Sequence, residues 1–228
     1  MGARRPPRHL AVPALLVGAL LGAGCGGSSS ATFTLDLDIE VDESHVPEVP
    51  AALEDGDAVG VVPCATLNDC PLSDVILFAC AAGVCEPLPA DVGLTVRGGI
   101  DLEALLDELE PLLRVREVEV LGVTATVVFN DLNADLGPVA LGWRDDPPSG
   151  ITSTPLAGWP GLAAGSTDLE PARVDPEGAA MLGEHLVDSP RARITAASSV
   201  DLVPGAPLPR GAARLRVGLE LRVSGTLP

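Results

Sequence analysis

Phe33-Thr34-Leu35-Asp36-Leu37-Asp38-Ile39-Glu40-Val41-Asp42 alternates apolar and polar residues. Successive side chains of a strand point to opposite faces, so Leu35, Leu37, Ile39 and Val41 share one face and the four acids share the other. A helix would scatter both sets around its axis. The stretch is therefore a half-buried β-strand. An EF-hand loop needs a glycine at its turn and a distal glutamate; this run has neither, and its acids read as a solvated face.

The same period returns at the other end of the chain. Ile194, Ala196, Ser198, Val200 and Leu202 form one inward row, and Leu215, Val217, Leu219, Leu221 and Val223 form another. Arg214, Arg216 and Arg222 alternate with the second row. An acidic row near the start and an arginine row near the end are complementary. Opposed charges on paired strands contribute roughly 0.2–1 kcal/mol each. Strands 33–42 and 212–224 are therefore expected to be neighbours.

Between these ends, residues 115–129 read as a long strand. Val118 and Val120 set one phase; Leu121, Val123, Ala125, Val127 and Phe129 set the other. The change of phase beside Gly122 predicts a β-bulge. Residues 92–97 and 138–144 are further strand candidates, and Asp74–Ala82 is a short strand or helix. Asp101–Leu113 predicts an amphipathic helix with Leu102, Leu105, Leu106, Leu109, Leu112 and Leu113 on one face, Asp101 as its cap and Pro111 at its end. A second short helix is expected from Asp175-Pro176 to about Val187. Residues 43–60 and 145–173 read as irregular. Many short antiparallel strands with two short helices predict a mainly β fold, an antiparallel β-sandwich. One domain is expected over 31–228, with a cysteine-rich insertion at about 60–89.

The order helix, long strand, strand, loop, short helix and two terminal strands over Asp101–Pro228 resembles a sandwich domain of uncharacterised bacterial surface lipoproteins. The N-terminus points the same way. Arg4, Arg5 and Arg8 precede an apolar run, Leu10–Leu21, that ends in Gly22-Ala23-Gly24-Cys25. A basic start, a short apolar core and small residues before a cleavage point make a secretory signal, here 1–24. The run is too short for a transmembrane helix, which needs about 20 apolar residues. Gly24-Cys25 with Ala23 before it resembles the lipobox of bacterial lipoproteins. Gly22 stands where that family prefers an aliphatic residue. The resemblance implies diacylglycerol on Cys25, a Gly/Ser tether over 25–30 and residence at the cell envelope. Gly26 in place of aspartate implies the outer membrane. Cleavage by an ordinary signal peptidase, leaving Cys25 a free thiol, is the alternative.

With Cys25 assigned to lipid, Cys64, Cys70, Cys80 and Cys85 remain, an even set in an exported chain. Disulfides are the expected fate, with three connectivities open. The C-x5-C-x9-C-x4-C spacing departs from the C-x2–4-C pairs of zinc sites, and an oxidising compartment works against thiolate ligands. The segment is similar to C-x5-D-C…C-x4-C modules of secreted proteins, with a longer middle spacing.

The chain carries a net charge of −18, with 32 acids, and all 14 basic residues are arginine. Loss of the three signal arginines takes the charge to −21. Such a surface repels nucleic acid and anionic lipid headgroups. Five aromatic residues are too few for a stacking platform. No P-loop, H-E-x-x-H, G-x-S-x-G or dinucleotide fingerprint occurs. No cofactor, no metal and no catalytic residue is therefore assigned. The expected function is a non-enzymatic binding or scaffolding role at the envelope, with the membrane reached through Cys25 and an envelope protein as partner. Two other classes compete: a carrier of an apolar ligand in a cavity of the sandwich, and a secreted hydrolase or metal-binding enzyme using His185 or His45. Asp145-Asp146 beside Trp143 reads as a solvated turn before Pro147-Pro148.

Overall fold

The alternation at 33–42 lies inside β1 (Ser28–Val41), and the arginine row inside β13 (Ala213–Thr226). The structure is a computed structural model that describes residues 28–46, 49–107, 114–147 and 152–226. The signal region, Cys25 and the helical positions Leu109, Pro111, Leu112 and Leu113 lie outside the described residues. Between the two ends come β2 (Glu54–Asp55), β3 (Ala58–Val59), β4 (Phe78–Ala81), β5 (Val84–Pro87), β6 (Ala90–Arg97), β7 (Ile100–Asp101) and α1 (Leu102–Asp107). Then follow β8 (Arg114–Asn130), β9 (Val139–Asp145), β10 (Thr154–Trp159), β11 (Arg173–Val174), α2 (Pro176–Asp188) and β12 (Arg191–Val200). The fold is mainly β and antiparallel, with two short helices, as the periodicity predicts.

β1 and β13 pair antiparallel along their whole length, from Ser28–Thr226 to Val41–Ala213. Register sets Asp38 opposite Arg216 and Glu40 opposite Arg214. Glu40 carboxylate oxygens lie 2.7 Å from both Arg214 and Arg97, and Asp38 lies 3.4 Å from Arg216. Arg222 instead meets Glu119 of β8 at 2.9 Å. The inner row of β13, Leu215 to Val223, has no solvent exposure.

The strand order is β11-β10-β9-β12-β6-β1-β13-β8, with β7 also on β12. β6 belongs to both halves: Ala90–Leu94 pair with β12, and Thr95–Arg97 pair with β1. A strand that changes partners in mid-length makes the corner of a sandwich. The two halves enclose one core to which β1, β6, β8, β9, β10, β12, β13 and α2 all contribute.

β8 spends 17 residues opposite the 14 of β13. The surplus is absorbed at three register shifts, opposite Glu220/Leu221, Ser224/Gly225 and Arg214/Leu215. The first is the expected bulge beside Gly122. The third corrects the phase of Phe129: the extra residue turns Phe129 outward, opposite Arg214, and its ring is exposed with the Arg214 guanidinium 5.6 Å from its centroid.

Three other expectations are corrected. Ser28, Ser29 and Ser30 are not tether but strand, because Thr226, Gly225 and Ser224 supply a ladder that outweighs their low strand preference. Residues 145–173 contain β10 and β11, which extend the sheet beyond β9. Residues 43–60 hold the β2–β3 hairpin, docked on the loop before β13 through an Ala58–Pro207 bridge and an Asp57–Arg210 ion pair of 2.6 Å.

α1 begins as expected, with the Asp101 carboxylate accepting the Ala104 N–H at 3.1 Å. α2 is capped by Asp175, which accepts the Gly178 N–H at 2.7 Å, and starts on Pro176. It buries Ala179, Leu182 and Leu186 and crosses β8, where Gly183 sits on the Val118 carbonyl. A methyl group on Gly183 would overlap that backbone oxygen, whereas one on Gly122 would meet open space. Gly183→Ala should therefore lower unfolding stability by about 1–3 kcal/mol in urea titration. Gly122→Ala should be close to neutral.

Candidate functional site

The four module cysteines pair as Cys64–Cys80 and Cys70–Cys85, one of the three connectivities left open by sequence. β4 and β5 form a hairpin in which Cys80 and Cys85 face each other, so the hairpin presents one half of each bond. The preceding loop supplies the other halves. It is held by Pro63 bridging Val84 and by the Cys85 N–H donating to the Val62 carbonyl at 2.8 Å. The sulfurs of Cys64, Cys70 and Cys85 lie within 4.8 Å of one another. All are consumed in S–S bonds, and thiolate ligation of zinc would require breaking them. Loops of this size make each bond worth about 3 kcal/mol by restricting the unfolded chain.

One carboxylate organises the turn between Cys64 and Cys70. Asp69 accepts the backbone N–H groups of Thr66 and Ala65, each at 2.8 Å. Those bonds, Thr66 first and Ala65 next, hold its carboxyl below the usual aspartate range. Ile76, buried beneath the module, packs with Val59 and Leu202 in a small core of its own. Several apolar side chains in and beside the module reach solvent: Val61, Leu67, Leu72, Val75, Leu77 and Leu88 are exposed, Leu72 at 99%. Half of the large exposed hydrophobic residues among those described therefore sit in 61–88. Residues 46–89 contain no arginine, lysine or histidine, so the segment's own charged residues are all acids, one of which, Asp57, is paired with Arg210.

The two histidines among the described residues, His45 and His185, serve as structural ties. His45 Nδ1 lies 2.9 Å from Asp42 Oδ1, and its Nε2 lies 2.8 Å from Thr95 Oγ1. Asp42 is held below the usual aspartate range, chiefly by the Ser44 hydroxyl, then by the Ser44 N–H and His45. This arrangement joins the helical turn Glu43–His45, just after β1, to β6. His185 Nε2 lies 3.0 Å from the Arg191 carbonyl, and its Nδ1 lies 3.6 Å from Asp145 Oδ1. Its ring stacks obliquely on Trp143, centroids 5.0 Å apart, and Trp143 Nε1–H donates to the Gly178 carbonyl at 3.1 Å. The cluster fastens α2 to β9 and β12. Asp146 faces Arg193 at 3.6 Å. The structure thus brings His185, Asp145 and Trp143 together, while His45 lies with Asp42 and Thr95 in a separate group.

Among grooves lined by described residues, one of about 550 Å³ runs between α2 and β8. It opens to solvent and carries Arg116, Glu117, Glu119 and Glu184 beside Val118 and Val187. Comparison with protein families, curated proteins and solved structures finds no match for this chain.

The Asp69 bonds carry a pH dependence with a definite sign. A carboxyl with a lowered folded-state pKa contributes stability above its unfolded pKa and loses it as pH falls through the folded value. Amide exchange at Ala65 and Thr66 should therefore speed up, relative to the β13 core amides, as pH drops below about 4. Asp69→Asn should show the faster exchange already at neutral pH.

Proposed function

We propose that this chain is an exported envelope lipoprotein, anchored by lipid on Cys25, whose role is to bind or scaffold and not to catalyse. The observation that carries this reading is the cysteine pairing. Four cysteines close on one another in two bonds, and the fifth is the one that sits at the lipobox-like Gly24-Cys25. Support for the non-catalytic role is the engagement of His45 and His185 in ties between elements.

In this reading the anchor precedes the Ser28 end of the β1–β13 ribbon in the chain, and the module follows the Val41 end. β1 starts at Ser28, three residues after Cys25, and the module follows its other end, Val41. Fourteen residues of strand span about 45 Å. A lipid on Cys25 would thus hold the Ser28 end at the outer-membrane surface and present the disulfide module away from it. Exposed apolar side chains on a segment whose own charges are all acidic suit a protein segment that is itself apolar and basic. This is the envelope partner that the reading requires.

Intact mass of the full chain extracted from membranes tests the anchor. The expected mass starts at Cys25, includes a thioether-linked diacylglycerol and lacks four hydrogens for two disulfides. A chain starting at Gly24 with a free Cys25 thiol would contradict it. The module is tested with a synthetic Leu/Lys amphipathic peptide and a Ser/Lys control of equal charge. Binding should favour the leucine peptide and weaken about tenfold when Leu72 and Leu77 are both replaced by serine. Equal binding of the two peptides would contradict the role of the apolar surface.

A further inference from the structure

Where β6 leaves β12 to join β1, the sheet splits. The β12–β6 ladder stops at Ala196–Leu94, and the β12–β7 ladder begins at Ala192–Ile100. The backbone of Arg193, Ile194 and Thr195 therefore has no ladder partner on that edge, while Thr95–Arg97 pair away with β1. The opening is a cleft of about 470 Å³, with Leu94, Val96 and Gly98 on one wall and Arg193 and Thr195 on the other. A cleft of this size matches the volumes of small-molecule sites.

Its charge is opposite to that of the molecule. Arg193 of β12 stands directly opposite Arg144 of β9, and both line the cleft. Like charges facing across paired strands are destabilising. In a chain with 32 acids, such a pair is the reverse of what the rest of the sheet does. Arg97, Arg191, Arg193, Arg214, Arg216 and Arg222 each have a carboxylate oxygen within 3.6 Å. Among the described residues Arg144 of β9 has no carboxylate partner, and its Nε, like that of Arg214, is buried without a hydrogen-bond partner. Leaving a buried guanidinium nitrogen unsatisfied costs free energy that an incoming acceptor would recover. Beside the arginines, Thr195 Oγ1 and Ser153 Oγ lie 2.6 Å apart, so two hydroxyls edge the same face. Gly142 faces Thr195 in the ladder, and the space a side chain there would take is filled by the Ser153 hydroxyl.

We propose that this fork is a binding site for a small molecule headed by an oxyanion, a carboxylate or a phosphate. Arg144 and Arg193 together hold the oxyanion, and Thr195 and the open β12 backbone supply further polar groups. Planar guanidinium forks match the paired oxygens of either headgroup, which selects them over chloride. The site shares no residue with Gly24-Cys25 or with the disulfide module, and its failure would leave the reading of both intact.

The test is calorimetric titration of the full exported chain with inorganic phosphate and, separately, with succinate, against sodium chloride at matched ionic strength. Phosphate binding alone assigns a phosphate headgroup, and succinate binding alone assigns a carboxylate. Arg144→Gln and Arg193→Gln should each weaken the bound anion about tenfold or more. Arg173→Gln, on exposed β11, should leave it unchanged. Arg144→Gln should also raise the melting temperature of the ligand-free protein, because it removes the like-charge pair. Arg193 is half exposed, so its variant preserves the test should Arg144→Gln fail to fold. Absence of heat beyond chloride for both anions would overturn the proposal, as would binding that survives loss of Arg193.

Discussion

The β1–β13 ladder is the interaction on which the rest of the molecule depends. It joins the first described strand to the last along fourteen residue pairs. Every other piece of the sheet attaches to one side of it or the other: β8 on β13, and β6 on β1. Its stability comes from the buried row Leu215–Val223, not from the charges, because exposed ion pairs contribute less than about 1 kcal/mol each. The charges act on register. A slip by one residue would turn Leu35, Leu37 and Ile39 outward and put Asp36 and Asp38 in the core. Glu40, paired with arginines on both neighbouring strands, rewards the observed register and no other.

A sheet stitched from its two ends leaves the middle of the chain to fill the gaps. β6 serves two partners and so makes the corner. The divergence that makes the corner also opens the cleft at Arg144 and Arg193. The long excursion between β1 and β6 has little core of its own, and two disulfides supply the restraint that burial does not. Architecture and candidate surfaces thus share a cause. Both the apolar module and the basic cleft lie where the regular ladder is interrupted.

The strands with period-two alternation were legible from sequence because a half-buried strand writes its two faces into alternate residues. That holds for β1, β12 and β13, and for the neighbour relation of β1 with β13, which charge complementarity carried. The bulge at Gly122 was legible as a change of phase. The bulge that turns Phe129 outward was not, because the apolar Val127-Val128-Phe129 run has no phase to read. β10 was missed because Thr154-Pro155-Leu156-Ala157-Gly158-Trp159 contains proline and glycine, which signal a turn, and its ladder partner β9 overrides them. Ser28–Ser30 have low strand preference, and their ladder with Ser224–Thr226 of β13 overrides it. Among the candidate sites, the disulfide set was legible by counting, and its pairing was not. The Arg144–Arg193 pair left no trace in sequence, since the residues are far apart along the chain and meet only through strand register.

Backbone NOE measurement on the labelled full chain tests the central claim most directly. The account predicts cross-strand contacts between Leu37 and Val217, Leu35 and Leu219, and Phe33 and Leu221, with continuity out to Ser29 and Gly225. Contacts displaced by one or more residues, or β1 paired with a strand other than β6 and β13, would contradict it.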